Sequence, residues 1–219
     1  LFIDKLVYHL PLYRQHLRLR ASGINVARSS LTAWFHRGAE LLEPIAYANL
    51  SSILQSDVLL MDETSIKAGV LKPKTMKRGY YWPVLGDKDE IAFPFGASRA
   101  TKIAREVLGE YCGTLVTDGY RVYEKVARED ERIQHAQCWA HARRAFVEAE
   151  LKEPERVKKP LRLIGELYEI EKVISNLPKD QKLAIRAERS ASLVEDFFAC
   201  LDEELSRAIE ESDLNKWDE

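Results

Sequence analysis

Val58-Leu59-Leu60-Met61-Asp62-Glu63-Thr64 and Thr114-Leu115-Val116-Thr117-Asp118-Gly119-Tyr120 share one format: a short apolar, β-rich run, an aspartate at its end, then a turn or polar segment. A carboxylate in that place is held by a sheet instead of a mobile loop. Either aspartate alone reads most simply as a strand cap. Two from different strands can converge on a divalent cation, which takes hard oxygen ligands.

Working outward, Val58–Met61 is a continuous apolar run, the pattern of a strand buried on both faces. Gly79-Tyr80-Tyr81-Trp82-Pro83-Val84-Leu85 is aromatic and β-branched, ends at Gly86-Asp87, and pairs as a hairpin with Ile91-Ala92-Phe93-Pro94-Phe95. Residues 101–111 read as a helix with Ile103, Val107 and Leu108 on one face, 114–117 as a strand, 120–128 as a short helix and 133–139 as a fifth strand. A helix follows from His141. The order β-β-β-α-β-α-β is that of the ribonuclease-H-like (retroviral-integrase-like) fold, an α/β class with a mixed five-stranded sheet and flanking helices. There an Asp on the central first strand lies beside one at the end of the fourth. Adjacent strands run about 5 Å apart, so carboxylates at matching ends can bridge one metal or share two. Two cations about 3.5–4 Å apart activate an attacking water and stabilise a leaving 3′ oxygen in phosphodiester chemistry. Glu63 neighbours Asp62, but successive strand side chains point to opposite faces, which takes it away from the same ligand set.

The flanks are helical, and the expected segments are 1–56, 57–150 and 151–219. Residues 12–20 form a helix stopped by Ser22-Gly23, and a second runs from about Val26 to Glu40, so 1–56 has a helix-turn-helix-like outline. Arg28, Ser29, Ser30 and Thr32 would face outward. An ordinary αα-hairpin packed on the next domain is an equal alternative. Pro44 is expected to begin a further helix. Residues 1–56 carry a net +3, 57–144 a net +2 and 145–219 a net −7, so the first two segments suit a phosphate backbone and the last does not. Arg14, Arg18, Arg20, Arg28 and Arg37 are the candidate DNA contacts. After Ala149 two apolar stripes at helical spacing, Leu163-Leu167-Ile170-Ile174 and Val194-Phe198-Leu201-Leu205, read as plain core of packed helices.

With 219 residues and 46% hydrophobic content the chain can bury a real core. No apolar stretch approaches the roughly 18 residues of a membrane span. The start, Leu1-Phe2-Ile3-Asp4-Lys5, has neither an initiator Met nor the order of a signal peptide, and reads as a piece of something longer. Three scattered cysteines argue for a reducing cytoplasm and against a disulfide framework. His135, Cys138 and His141 fall at three-residue intervals and are zinc-type atoms. No second Cys/His pair exists, and a strand offset of three would put His135 and Cys138 on opposite faces, so zinc is disfavoured. The preferred reading buries Cys138 and Trp139, with His141, Arg143 and Arg144 opening the next helix near the acidic pair to hold a phosphate or pair with Asp118.

Several runs together resemble the insertion-sequence-66 family of bacterial transposases. They are Leu10-Pro11-Leu12-Tyr13-Arg14-Gln15, Arg28-Ser29-Ser30-Leu31-Thr32-Ala33-Trp34, Asp62-Glu63-Thr64, Gly79-Tyr80-Tyr81-Trp82 and Thr117-Asp118-Gly119-Tyr120. Cys138-Trp139-Ala140-His141-Ala142-Arg143-Arg144 and the segment Ile164-Gly165 through Ile170-Glu171 complete the set. The resemblance implies a DDE-type core with Asp62 and Asp118 as its first two metal-binding acids and Mg²⁺ or Mn²⁺ as cofactor. The substrates would be transposon ends and target DNA, acted on by a homo-oligomer in a bacterial cytoplasm. It also implies that residues after Ala149 are an insertion before the last catalytic helix. The family's third acid, a Glu in an Asn-Asn-x-x-Glu-Arg type motif, has no match before Glu219, and its zinc-binding and coiled-coil segments have none upstream. That leaves an expectation of an inactive fragment, with Glu148 and Glu150 as substitute acids. Two other readings stay open: a stand-alone nuclease or resolvase using one of those glutamates, and a non-catalytic DNA-binding protein.

Overall fold

The computed structural model describes residues 1–72 and 75–215, and the side chains of 1–67 and 76–210. The chain divides into two compact units, one of residues 1–117 and 121–135, the other of residues 118–120 and 136–219.

The first unit opens with a π-helical turn at Ile3–Val7, followed by α1 (Leu12–Ala21) and α2 (Arg28–Ile53). Gln15 is buried on α1 and its amide donates to the carbonyls of Leu1 and Leu10, at 3.3 and 2.9 Å. The second helix corrects the expected break at Pro44: α2 is one helix of 26 residues with Pro44 inside it. A proline removes one backbone hydrogen bond from a helix interior, so the continuation needs support from elsewhere. Ile53 is fully buried, the Asn49 amide donates to the Ile91 carbonyl at 2.9 Å, and the Ser52 hydroxyl donates to Glu90 at 3.2 Å.

Among the described residues eight strands follow: β1 (Val58–Met61), β2 (Thr64–Lys72), β3 (Thr75–Tyr81), β4 (Val84–Leu85), β5 (Ile91–Ala92), β6 (Phe95–Gly96), β7 (Gly113–Thr117) and β8 (Ile133–Gln137). Helix α3 (Thr101–Leu108) precedes β7, and α4 (Arg121–Glu129) precedes β8. One sheet has the order β5-β4-β1-β7-β8, with β1 antiparallel to β4 and parallel to β7; the other has the order β2-β3-β6. The protein is therefore α/β with a mixed five-stranded sheet and flanking helices.

The expected hairpin exists, but each arm is cut by a proline. Tyr80 and Tyr81 pair with Gly96 and Phe95 in the small sheet, and Val84 and Leu85 pair with Ala92 and Ile91 in the large one. Pro83 and Pro94 cannot donate to a ladder, and both arms change sheet there. Trp82, between the sheets, is fully buried and its backbone N–H donates to the Pro94 carbonyl at 2.8 Å. A Cβ on Gly96 would lie 2.6 Å from the Trp82 ring nitrogen, so only glycine fits beside the indole. A second correction concerns β1. Leu59 and Met61 are buried, but Val58 and Leu60 remain 37% and 44% exposed. The strand alternates because a sheet buries one face per side-chain parity, and an unbroken apolar run cannot reveal that the second face is open.

The second unit is helical: α5 (Trp139–Glu150), α6 (Pro154–Ile174), α7 (Lys179–Ile185) and α8 (Ala191–Asn215), with a π-helical turn at Arg186–Ser190. Residue 139, expected at the end of a strand, starts α5, and Cys138 stands at its N-cap, half-buried. Leu163, Leu167, Ile170 and Ile174 are all buried, as their spacing predicts. The α8 stripe is rotated from expectation. Phe197 and Cys200 are buried, whereas Phe198 is 54% and Leu205 61% exposed. Leu163, Ile164 and Phe197 form the core, with Trp139 and Phe146 packed edge-on to Phe197 at ring separations of 4.9 and 5.8 Å. Two apolar rows lie side by side on α8, and the aromatic partners on α5 select the inner one. Phe197→Ala is expected to destabilise the protein by about 3–5 kcal/mol, and Phe198→Ala by less than about 1 kcal/mol, in chemical denaturation followed by circular dichroism.

Candidate active site

The two acid-bearing strands are paired side by side and tied together at their starts. Val58, Leu59 and Leu60 pair with Thr114, Leu115 and Val116 in parallel register. At the N-terminal end the Thr114 N–H donates to the Asp57 carbonyl at 2.9 Å. The buried Tyr111 hydroxyl lies 3.2 Å from the Asp57 carbonyl and 2.9 Å from that of Thr114, so it can donate to either, and burial pushes its pKa up to about 12. At the other end Met61 and Thr117 finish their strands on the same edge of the sheet. Asp62 and Asp118 are the next residues of the chain.

Asp62 is exposed, and its backbone N–H donates to the Pro83 carbonyl at 3.3 Å. Its Oδ1 accepts the N–H of Glu63 at 2.7 Å, which fixes the carboxylate against its own backbone. Asp118 is half-buried, and its Oδ1 accepts the N–H of Tyr120 at 3.0 Å. Glu63 has a different fate. Its side chain is only 2% exposed, one oxygen paired with the Arg99 guanidinium and the other accepting the Tyr123 hydroxyl at 2.5 Å. A buried carboxylate needs such partners to offset its desolvation. The cluster pins the residue whose N–H donates to Asp62. Sequence parity separated Glu63 from Asp62, yet nothing in the sequence pointed to Arg99 and Tyr123. Trp82 stands edge-on to Tyr123 with ring centres 6.1 Å apart.

The other singled-out residues lie on β8, on α5 and in the N-terminal segment. His135 on β8 shares a 2.9 Å hydrogen bond with the hydroxyl of the buried Thr117. Burial lowers the pKa of His135 below its usual 6.5, opposed by the negative charge of Glu124. His141 lies in the first turn of α5, and its Nδ1 is buried without a partner among the described residues. Arg143, Arg144, Glu148 and Glu150 are exposed on the same helix. Among the described residues, no three His, Cys, Asp or Glu side chains are placed to hold a metal together. In the N-terminal segment Arg18 pairs with Asp4, Arg28 lies over the Tyr13 ring at 4.9 Å, and Arg37 is 3.4 Å from Glu40. Arg14 and Arg20 are exposed. No helix among the described residues is long and apolar enough to cross a membrane.

The family model of the IS66 transposases matches residues 1–217. The chain belongs to the IS66 transposase family. Three proteins of Sinorhizobium fredii, each named as uncharacterized, are similar to this family member. The protein y4jD is 28% identical over 206 residues, covering 88% of this chain and 40% of its own length. The protein y4qI is 26% identical over 223 residues, covering 94% and 41%. The protein y4hP is 28% identical over 235 residues, covering 96% and 43%. This transposase-family chain thus spans about two-fifths of the length of those relatives. No solved structure matches it.

Two outcomes check the packing around the aspartates. Tyr123→Phe removes a hydrogen bond to a buried carboxylate and is expected to cost about 1.5–3 kcal/mol of unfolding free energy. His135 is held neutral in the fold, so below pH 6.5 the unfolded chain takes up a proton that the folded chain resists. Stability is therefore complete above that pH and declines as pH falls below it. In His135→Gln the decline over that window, followed as melting temperature against pH, should flatten.

Proposed function

We propose that this chain carries the first two acids of a DDE-type transposase core of ribonuclease-H-like fold, with Asp62 and Asp118 as metal ligands. The observation that carries the reading is the parallel pairing of β1 with β7, Leu60 opposite Val116, on which both strands end at one edge of the sheet with an aspartate next in the chain. The sheet order, with β1 central, β4 antiparallel to it and β5 antiparallel to β4 on its far side, supports the fold assignment. Family membership supports the chemistry: metal-dependent hydrolysis of a phosphodiester at an insertion-sequence end, then attack of the freed 3′-hydroxyl on target DNA.

The donor set suits Mg²⁺ or Mn²⁺. Magnesium is commonly held by one or two carboxylates, with waters and substrate phosphates completing the shell, and two oxygen-donor aspartates match that demand. The metal, when bound, neutralises charge on the phosphate and lowers the pKa of an attacking water. The chain's own residues do the positioning. Arg99 and Tyr123 hold Glu63, and the Glu63 N–H holds Asp62 with one oxygen engaged and the other open. On the Asp118 side the N–H of Tyr120 donates to Oδ1 of that carboxylate. Arg143 and Arg144, exposed on α5, would supply cations for a phosphate. The third acid is assigned to the greater part of the relatives' length that the chain does not span, ahead of Glu148 and Glu150.

Mn²⁺ titration of the chain by electron paramagnetic resonance tests the site. Asp62→Asn and Asp118→Asn should each weaken binding about tenfold or more, and Glu148→Gln with Glu150→Gln should leave it unchanged. Equal Mn²⁺ affinity in the wild type and both aspartate variants would overturn the assignment.

A further inference from the structure

Residues 64–81, directly after Asp62-Glu63, carry five basic residues (Lys67, Lys72, Lys74, Lys77, Arg78) and no acidic one, in a chain whose net charge is −2. Residues 64–72 and 75–81 of this stretch fold as the antiparallel ribbon β2–β3. Only its base has a third strand, since β6 pairs with Tyr80 and Tyr81 alone. Beyond that point no further strand pairs with the ribbon among the described residues. Lys67, Lys77 and Arg78 are exposed, and among the described residues none of them enters an ion pair.

The register makes this arrangement costly for the protein alone. Lys67 is directly opposite Arg78 across the ribbon, and directly opposed like charges destabilise a sheet pair. Tyr80 lies two residues from Arg78 and so on the same face, with the Arg99 guanidinium 6.0 Å over its ring. That face gathers Lys67, Arg78 and an aromatic ring, with no carboxylate between Lys67 and Arg78; Arg99, over the ring, is held by Glu63. An external polyanion relieves the repulsion. In the N-terminal segment Arg18, Arg28 and Arg37 are already engaged within the protein, and Arg14 and Arg20 are exposed.

We propose that the β2–β3 ribbon is a docking surface for the phosphate backbone of duplex DNA. The inference rests on the DNA-processing reading above and adds the surface that holds the substrate. Charge complementarity selects the partner. A two-stranded ribbon also suits the duplex in shape, being narrow enough for a major groove of about 12 Å. With nine residues in β2, at about 3.3 Å each, the ribbon can reach along roughly 30 Å of duplex. Its base is tied to Asp62 through Glu63, so a duplex gripped on the ribbon is delivered beside the acid.

The test is fluorescence anisotropy of a labelled duplex of arbitrary sequence with the 219-residue chain, over a range of salt concentrations. The variant Lys67→Gln/Lys77→Gln/Arg78→Gln should bind about tenfold or more weakly, and its salt slope should fall by about 0.9 for each phosphate that the protein no longer neutralises. The charge-preserving variant Lys67→Arg/Lys77→Arg/Arg78→Lys should bind as the wild type does. If the triple Gln variant fails to fold by circular dichroism, the single exposed change Lys77→Glu reads the same slope. Unchanged affinity and slope in the neutralised ribbon would overturn the proposal. So would unchanged affinity with new self-association, which would assign the cations to guarding an open strand edge. A wild-type chain that binds no duplex even at low salt would overturn the DNA-processing reading along with this one, whereas wild-type binding that survives neutralisation sinks the ribbon alone.

Discussion

The parallel pairing of β1 with β7 is the constraint on which the candidate site depends. Parallel neighbours cannot be joined by a tight turn, so the chain between them has to leave the sheet and return. Here it leaves as the β2–β3 ribbon, re-enters as β4 and β5, and crosses back through α3. Tyr111, just before β7, closes the excursion: its hydroxyl sits between the Asp57 and Thr114 carbonyls and ties the two strand starts together. Gly113 serves the same joint, because a Cβ there would meet the Tyr111 hydroxyl at 2.5 Å and the Asp57 carbonyl at 2.7 Å. Once the starts are registered, strands of similar length bring their ends to the same edge.

At that edge two adjacent carboxylates divide the labour. Glu63 is withdrawn from water and satisfied by a guanidinium and a phenol; Asp62 stays exposed. The buried one cannot leave its partners without stranding a charge in the interior, and that rigidity passes through its N–H to the exposed one. Tyr123 lies on α4, the helix that follows Asp118 and Gly119-Tyr120, so the helix after the second acid-bearing strand also supports the residue after the first. Preorganisation of this kind comes from the layer around a site more than from the ligands themselves.

What was legible in the sequence follows a physical rule. The strands ending at Met61 and Thr117, the α6 stripe from Leu163 to Ile174 and the basic-to-acidic trend along the chain all arise from local pattern, and they hold in the structure or stand in the sequence itself. The errors arise where a distant contact outweighs a local preference. Pro44 looks like a helix start, but burial of Ile53 and hydrogen bonds from Asn49 and Ser52 carry α2 past it. Phe198 and Leu205 share an apolar period with Val194, yet the rings of Trp139 and Phe146 meet Phe197 one residue away. The sequence pattern does not mark β2, because its alternation is weak and no Asn-Gly turn stands at its end.

The sequence by itself determined the composition of the candidate site, its two strand-end aspartates and the family to which the chain belongs, because strand patterns and motif residues are local. Only the tertiary structure decided which strands are neighbours, that Glu63 is locked by Arg99 and Tyr123, and that Lys67 faces Arg78 on an open ribbon. Those facts are set by pairing register and burial between residues far apart in the chain, and no local pattern encodes them.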